Sequence, residues 1–227
     1  FFGNTQDVYK KYIHAQMARW SPIDQKVLFI TSAGCSKETK DMILEEVQKY
    51  KKFDQIYMQE AVPEGGAMAA VLALDTAQIE EACKKTEGIV SIANYNCPGQ
   101  IVITGEEKAV AAAGELCKEA GAKRVVPLRV SGPFHSAMLK GAGEKLGEEL
   151  KHVTVHTPAI PYVANVTADY VTKEEEIKPL LEKQVSSSVR WQQTIERLIA
   201  DGADKFVEIG PGKTLTGFMR KINRDVA

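Results

Sequence analysis

Among the residues able to do chemistry, His135 is the most informative of the four histidines. It stands in Ser131-Gly132-Pro133-Phe134-His135-Ser136, after a Gly-Pro turn and ahead of a helical run, where a side chain can project into a cleft. A helix N-terminus disfavours the imidazolium, so a histidine there stays neutral and able to accept a proton at pH 7. That is the chemistry of a general base; the competing reading is a histidine that caps its helix or fills a loop. His14, His152 and His156 sit in polar helical or loop surroundings and receive no role. Gly210-Pro211-Gly212-Lys213 joins a strand-like run to a helix, where backbone N–H groups can face an anion. It lacks the G-x-x-x-x-G-K-[ST] spacing of a P-loop, so a tight strand-to-helix connection is the plainer reading. Cys35, Cys83, Cys97 and Cys117 show no C-x-x-C or Cys/His ligand spacing and read as reduced thiols of a cytoplasmic protein.

These residues need elements to hold them. Residues 5 to 19 read as a helix ending near Ser21-Pro22. Val27-Leu28-Phe29-Ile30 reads as a buried strand, followed by the turn Ser32 to Ser36 and a helix with Ile43, Val47 and Tyr50 on one face. From Ala67 the pattern predicts strand 67–74, helix 76–86 opened by Asp75, strand 89–95, a Cys97-Pro98-Gly99 turn, strand 100–104, helix 107–120 and strand 124–128. This β-α-β-β-α-β order is the split pattern of a ferredoxin-like unit, in which two helices cover one face of an antiparallel sheet. Past Val130 the chain predicts a helix with Leu139, Ala142, Leu146 and Leu150 on one face, then extended pieces at 160–166. A helix with Pro179 in an early turn, a helix at 190–200, a strand at 206–209 and a last helix carrying Leu215, Phe218, Met219 and Ile222 complete it.

Composition bounds the function. With 227 residues, 44% hydrophobic and 26% charged, the chain is long and apolar enough to bury a core without disulfides or metals. The 29 Lys+Arg against 30 Asp+Glu are scattered and give a net charge of -1, which leaves no basic field for nucleic acid or an anionic membrane. The longest apolar run, Ala67 to Leu74, falls far short of the ~20 residues of a membrane span. The chain opens Phe1-Phe2-Gly3 without a recognisable signal peptide, and a fragment is an open reading.

Four strings, in order, carry a resemblance: MQEAVPEGGAMAAV from Met58, NYNCPGQIVITG from Asn94, AGAKRVVPLRVSGPFHSAML from Ala120 and EIGPGKTLTGFMRKI from Glu208. From Met58 to Ala227 the chain resembles the malonyl-CoA:acyl carrier protein transacylases of type II fatty acid synthesis. The resemblance implies an α/β fold with a ferredoxin-like βαββαβ subdomain inserted in a partial α/β-hydrolase-like subdomain. It divides the chain into an atypical helix-strand-helix segment at 1–57, the small subdomain at 62–129 and the C-terminal part of the large one at 130–227. It implies ping-pong transfer of malonyl from malonyl-CoA through a serine to the phosphopantetheine thiol of acyl carrier protein, with His135 as the base. Gln184, by its distance from Trp191, would orient His135 mainly through its main-chain carbonyl. No metal or bound cofactor is implied, and the protein is expected to be a monomer in the cytoplasm.

The first 57 residues depart from the family pattern. They hold neither a G-Q-G-x-Q loop nor a G-H-S-x-G nucleophile elbow, and Asp54 and Gln55 stand where the family has the Arg-Gly pair whose arginine meets the malonyl carboxylate. A carboxylate there would repel malonyl. Ala33-Gly34-Cys35-Ser36-Lys37-Glu38 has the strand-turn-helix topology of an elbow, which makes Ser36 the candidate nucleophile; the other reading is that Ser36 only caps its helix. Cys35 as a thiol nucleophile is a weaker alternative. Phe2 to about Tyr57 is similar instead to a C-terminal piece of a family of fatty-acid-binding proteins. Two alternatives to catalysis therefore stay open: a non-catalytic truncated or chimeric remnant, and a lipid-binding protein acting through its N-terminal segment.

Overall fold

The computed structural model describes residues 26–31, 38, 41, 42, 45 and 55–60 and, apart from 131 and 211, residues 65–226. The chain divides into two compact units, 1–64 and 65–227. In the first, β1 (Lys26–Thr31) pairs in parallel with β2 (Gln55–Glu60), from Lys26 opposite Gln55 to Thr31 opposite Glu60. Parallel neighbours require a crossover. Glu38, Asp41, Met42 and Glu45 between them are helical, with Met42 buried. The sequence predicts β1 but not β2, which runs straight through the point at Met58 where the family resemblance begins.

The second unit is built on β3 (Gly66–Leu72), α1 (Thr76–Lys85), β4 (Val90–Cys97), β5 (Gln100–Glu106), α2 (Glu107–Glu119) and β6 (Arg124–Pro127). The β-α-β-β-α-β order predicted from periodicity is the order observed, with boundaries shifted by one or two residues. The four strands form an antiparallel sheet in the order β4-β5-β3-β6, with β3 and β5 paired from Gly66 opposite Glu106 to Leu72 opposite Gln100. Side-chain alternation in β5 explains the core. Ile101 and Ile103 point to one face and pack with Val71, Ile79, Cys83, Val110, Ala113 and Cys117, joining the sheet to α1 and α2. Val102 points to the other face and meets Met68 and Ala93. Asp75 caps α1 by accepting from the amide of Ala77 at 2.9 Å, as its place before the helix predicts.

After β6 come a 3₁₀ turn (Ala137–Leu139), α3 (Lys140–Leu150), the hairpin β7 (Tyr162–Ala164) and β8 (Asp169–Val171), α4 (Glu174–Val185), α5 (Trp191–Ala200) and α6 (Thr214–Ile222). Pro179 lies at the sixth position of α4, in an early turn as predicted, and Glu175 loses the amide that its carbonyl would accept from. One prediction is corrected. The run Phe206–Ile209 is not a strand: among the described residues no strand pairs with it, and Val207 and Ile209 are 72% and 94% exposed. Its apolar alternation suits a sheet, but a ladder needs a neighbour.

Candidate active site

His135 is placed by close packing of its turn. Pro133 is fully buried against Gly66 at the start of β3, and a Cβ on Gly66 would lie 2.2 Å from Pro133 Cδ, so only glycine lets the β3 backbone approach the proline ring this closely. Ser136, fully buried, starts the following turn by accepting from the amide of Met138 at 3.2 Å. The cap is therefore Ser136, and the half-buried His135 is free of that duty. His135 itself has φ of 60°, a left-handed conformation that is unfavourable for a residue with a Cβ and that clusters at functional sites.

The structure brings His135 and Gln184 together. Nδ1 of His135 lies 3.1 Å from the main-chain oxygen of Gln184, at the end of α4. A carbonyl only accepts, so Nδ1 carries the proton and Nε2 keeps its lone pair. The side-chain amide of Gln184, 3.4 Å from Nδ1, cannot donate to that protonated nitrogen; it donates to Ser187 O at 3.2 Å instead. α4 reaches this point because α3 is thin where they cross: a Cβ on Gly143 would sit 2.9 Å from the carbonyl oxygen of Glu182.

The segment after α4 is fastened to the edge of the four-stranded sheet. The Ser188 hydroxyl donates to Ile92 O at 2.6 Å, the Val189 amide to Ala93 O at 2.7 Å, and the Tyr95 amide to Val189 O at 2.9 Å. Val189 thus forms a parallel bridge opposite Asn94 on β4. The result is a cavity of about 320 Å³ that His135 shares with Ser186, Ser187, Ser188 and Arg190. These four are not among the residues the sequence singles out, because no local pattern announces that a Ser-rich loop will pair with a strand almost a hundred residues away; the adjoining Trp191 helix is the nearest signal.

The remaining candidates fall elsewhere. Ser36, Cys35 and Asp54 lie outside the described residues, and Gln55 is the first residue of β2. At the Gly210 turn, the carboxylate of Glu208 already occupies the start of α6: it accepts from the amides of Leu215 and Thr216 at 3.1 and 2.9 Å and from the Thr216 hydroxyl at 2.6 Å. Those hydrogen bonds hold the Glu208 carboxyl below the usual carboxylate range. The helix terminus is filled from within, which favours the tight connection over an anion site. Cys83, Cys97 and Cys117 are free and buried; burial pushes the Cys83 thiol up to about 12, so it is not a nucleophile. Among the described residues no helix is long and apolar enough to cross a membrane.

Comparison with known proteins decides the family. The model of the acyl transferase domain matches residues 38–226. The chain belongs to the acyl transferase family. The match starts at Glu38, twenty residues ahead of the Met58 at which the motif resemblance begins. Within the family it resembles the malonyl transacylases: it is 49% identical over 172 residues to the malonyl CoA-acyl carrier protein transacylase of Bacillus subtilis, which covers 74% of this chain and 54% of the relative. The chain spans about half the length of the curated relatives it matches. An acyl carrier protein S-malonyltransferase from Vibrio cholerae superposes with a TM-score of 0.72 at 35% identity, over 97% of this chain and 72% of that one. A malonyl-transacylase solved in complex with a type II polyketide acyl carrier protein gives 0.71 at 36%, over 97% and 72%.

Proposed function

We propose that the chain transfers a malonyl group from malonyl-CoA to the phosphopantetheine thiol of an acyl carrier protein, by a ping-pong mechanism with His135 as the base. The observation that carries this reading is the 3.1 Å contact of His135 Nδ1 with Gln184 O, which leaves Nε2 able to accept a proton. In the first half-reaction Nε2 takes the proton of a serine hydroxyl as the serine oxygen attacks the thioester carbon. The C–S bond breaks, and CoA leaves as a thiol with the proton returned by the imidazolium. In the second, Nε2 deprotonates the phosphopantetheine thiol, its sulfur attacks the malonyl ester, and the serine oxygen leaves with that proton. The Gln184 carbonyl holds the imidazole as a triad carboxylate does and stabilises the imidazolium in each half. The step needs no metal and no bound cofactor.

Ser36 is the proposed nucleophile. The fold that would hold it is proposed to be the family's: a ferredoxin-like subdomain at 62–129, inserted in a partial α/β-hydrolase-like subdomain that continues through 130–227. The sheet order β4-β5-β3-β6 supports the first part. The run Phe206–Ile209, exposed at Val207 and Ile209 and without a strand partner among the described residues, favours a second reading, a non-catalytic remnant of the acyltransferase. Intact-protein mass spectrometry after incubation with malonyl-CoA separates the two. A malonyl adduct that vanishes in Ser36→Ala and forms slowly in His135→Ala establishes transfer. No adduct on a folded sample establishes the second reading.

A further inference from the structure

β4 carries an extra residue where the loop after α4 meets it. Ile92 stands opposite Ile103 and Asn94 opposite Val102, so Ala93 between them has no partner on β5. Residues three apart in a regular strand point to opposite faces, and one extra residue cancels that reversal. Ile92 and Tyr95 accordingly both pack on the helix-facing core. There the Tyr95 hydroxyl donates to Glu80 of α1 at 3.1 Å. Burial, and next the neighbouring Glu80, push that hydroxyl up, so it keeps its proton and serves as a donor. Tyr95 also meets the loop after α4 twice: its amide donates to Val189 O at 2.9 Å, and the Arg190 guanidinium lies over its ring at 5.5 Å from the centroid.

We propose that Tyr95, anchored by Glu80, is a positioning residue for His135: it fixes the loop after α4 and, through that loop, the Gln184 carbonyl that selects the reactive form of the imidazole. The inference rests on the acyl-transfer reading and deepens it, since Tyr95 does not line the cavity that holds His135. The connection is short and stiff. Between Gln184 and Val189 the amides of Ser186 and Ser187 donate to the carbonyls of Lys183 and Gln184 at 3.3 and 3.4 Å, and the Gln184 side chain donates to Ser187 O at 3.2 Å. A turn bonded to itself in this way carries a displacement of Val189 to Gln184 instead of absorbing it. At its other end the extra residue weakens the β4–β5 ladder, so the backbone of β4 depends there on side chains to hold its shape. The Tyr95 ring, wedged between the core and Arg190 and tethered to α1, supplies that hold.

Variants of the full chain test this by two readings, the kinetics of malonyl transfer and the tautomer of His135 in long-range ¹H–¹⁵N spectra. Tyr95→Ala should lower kcat by about tenfold to a hundredfold, as a small misplacement of a catalytic group does, and leave KM for malonyl-CoA within about twofold. Its spectrum should show the Nε2–H form of His135 beside the Nδ1–H form. Tyr95→Phe keeps the ring and loses the anchor; it should lose about threefold to fivefold, and Glu80→Ala should match it. Glu80→Gln keeps an acceptor for the hydroxyl and should return kcat to near the wild-type value. Circular dichroism of each variant verifies folding, and if Tyr95→Ala does not fold, Tyr95→Phe and the two Glu80 variants decide. Folded variants with wild-type kcat and an unchanged Nδ1–H spectrum would overturn the proposal. So would a raised KM with kcat unchanged, which would place Tyr95 in substrate binding. If wild type transfers nothing, the acyl-transfer reading itself fails, and the spectra alone then decide whether Tyr95 fixes the imidazole.

Discussion

The hydroxyl of Ser188 donates to the carbonyl of Ile92 across 96 residues of sequence, at 2.6 Å. It ties the loop after α4 to β4, an edge strand of the four-stranded sheet whose helix-facing core includes Ile101 and Ile103. Ile92 packs into that core at 5% exposure, and four residues before Ser188 the chain presents the Gln184 oxygen to His135. The small sheet therefore sets the height at which the imidazole is held. Edge strands offer unpaired carbonyls, and here two successive ones, Ile92 and Ala93, are occupied by one loop.

Ser188→Ala should accordingly loosen the site as well as the fold. Removing the donor leaves Ile92 O without a partner on that side, at a cost of about 1 kcal/mol. Urea unfolding measures it. Ser187→Ala, whose hydroxyl makes no hydrogen bond among the described residues, should stay within about 0.5 kcal/mol of wild type. Equal destabilisation by both variants would show that the strand-edge contact is not the source.

Gln184 acts on His135 through its main chain, which predicts a tolerant side chain. Gln184→Ala should keep the Nδ1–H tautomer, observed in long-range ¹H–¹⁵N spectra of the imidazole. Its acyl transfer should fall by less than about tenfold. His135→Ala should lose on the order of a thousandfold or more in transfer, as removal of a base from a Ser-His pair does. A switch of tautomer in Gln184→Ala would mean that the side chain, not the carbonyl, governs the ring.

Gly66→Ala should push the histidine turn away from β3. The added methyl would overlap Pro133 Cδ at 2.2 Å, and neither backbone can yield without disturbing the β3–β5 ladder or the left-handed His135. Overpacking of this kind costs about 1–3 kcal/mol. Thermal unfolding should register that loss. A variant of unchanged stability would show that the turn is not pinned by β3.

How much of this was legible in the sequence differs by region, and for physical reasons. The β-α-β-β-α-β order from Ala67 to Leu128 rests on local periodicity, and the observed order β3-α1-β4-β5-α2-β6 matches it. His135 was found by its turn, and Gln184 through the family resemblance and its distance from Trp191. By contrast, Ser188, Val189 and Arg190 matter through a strand paired from the other side of the unit, and pairing between distant segments leaves no periodicity to read. Phe206–Ile209 misled in the opposite direction. It has a strand's alternation, but strand formation depends on a neighbour, which the local pattern does not encode.

Buried cysteines supply a pH dependence whose sign can be worked out. Cys83 packs among Ile79, Val110 and Cys117, and its thiol is pushed from 9.0 to about 12, first by burial and then by the nearby Cys117 and Glu80. The folded state keeps this proton where the unfolded chain has released it. Its contribution to stability is thus complete below pH 9 and is lost progressively as pH rises from about 9 toward about 12. Two measurements follow. At pH 8 a maleimide should label Cys83 in the native protein far more slowly than after unfolding in urea, because the thiolate is scarce and covered. Between pH 9 and about 11 the unfolding midpoint should fall, and Cys83→Ala should flatten that slope. An alkaline slope identical in Cys83→Ala and wild type would assign the loss to other groups, first the buried Cys97 and Cys117, raised above their ordinary 9.0, and then Tyr95 and Tyr170, raised above 10.0.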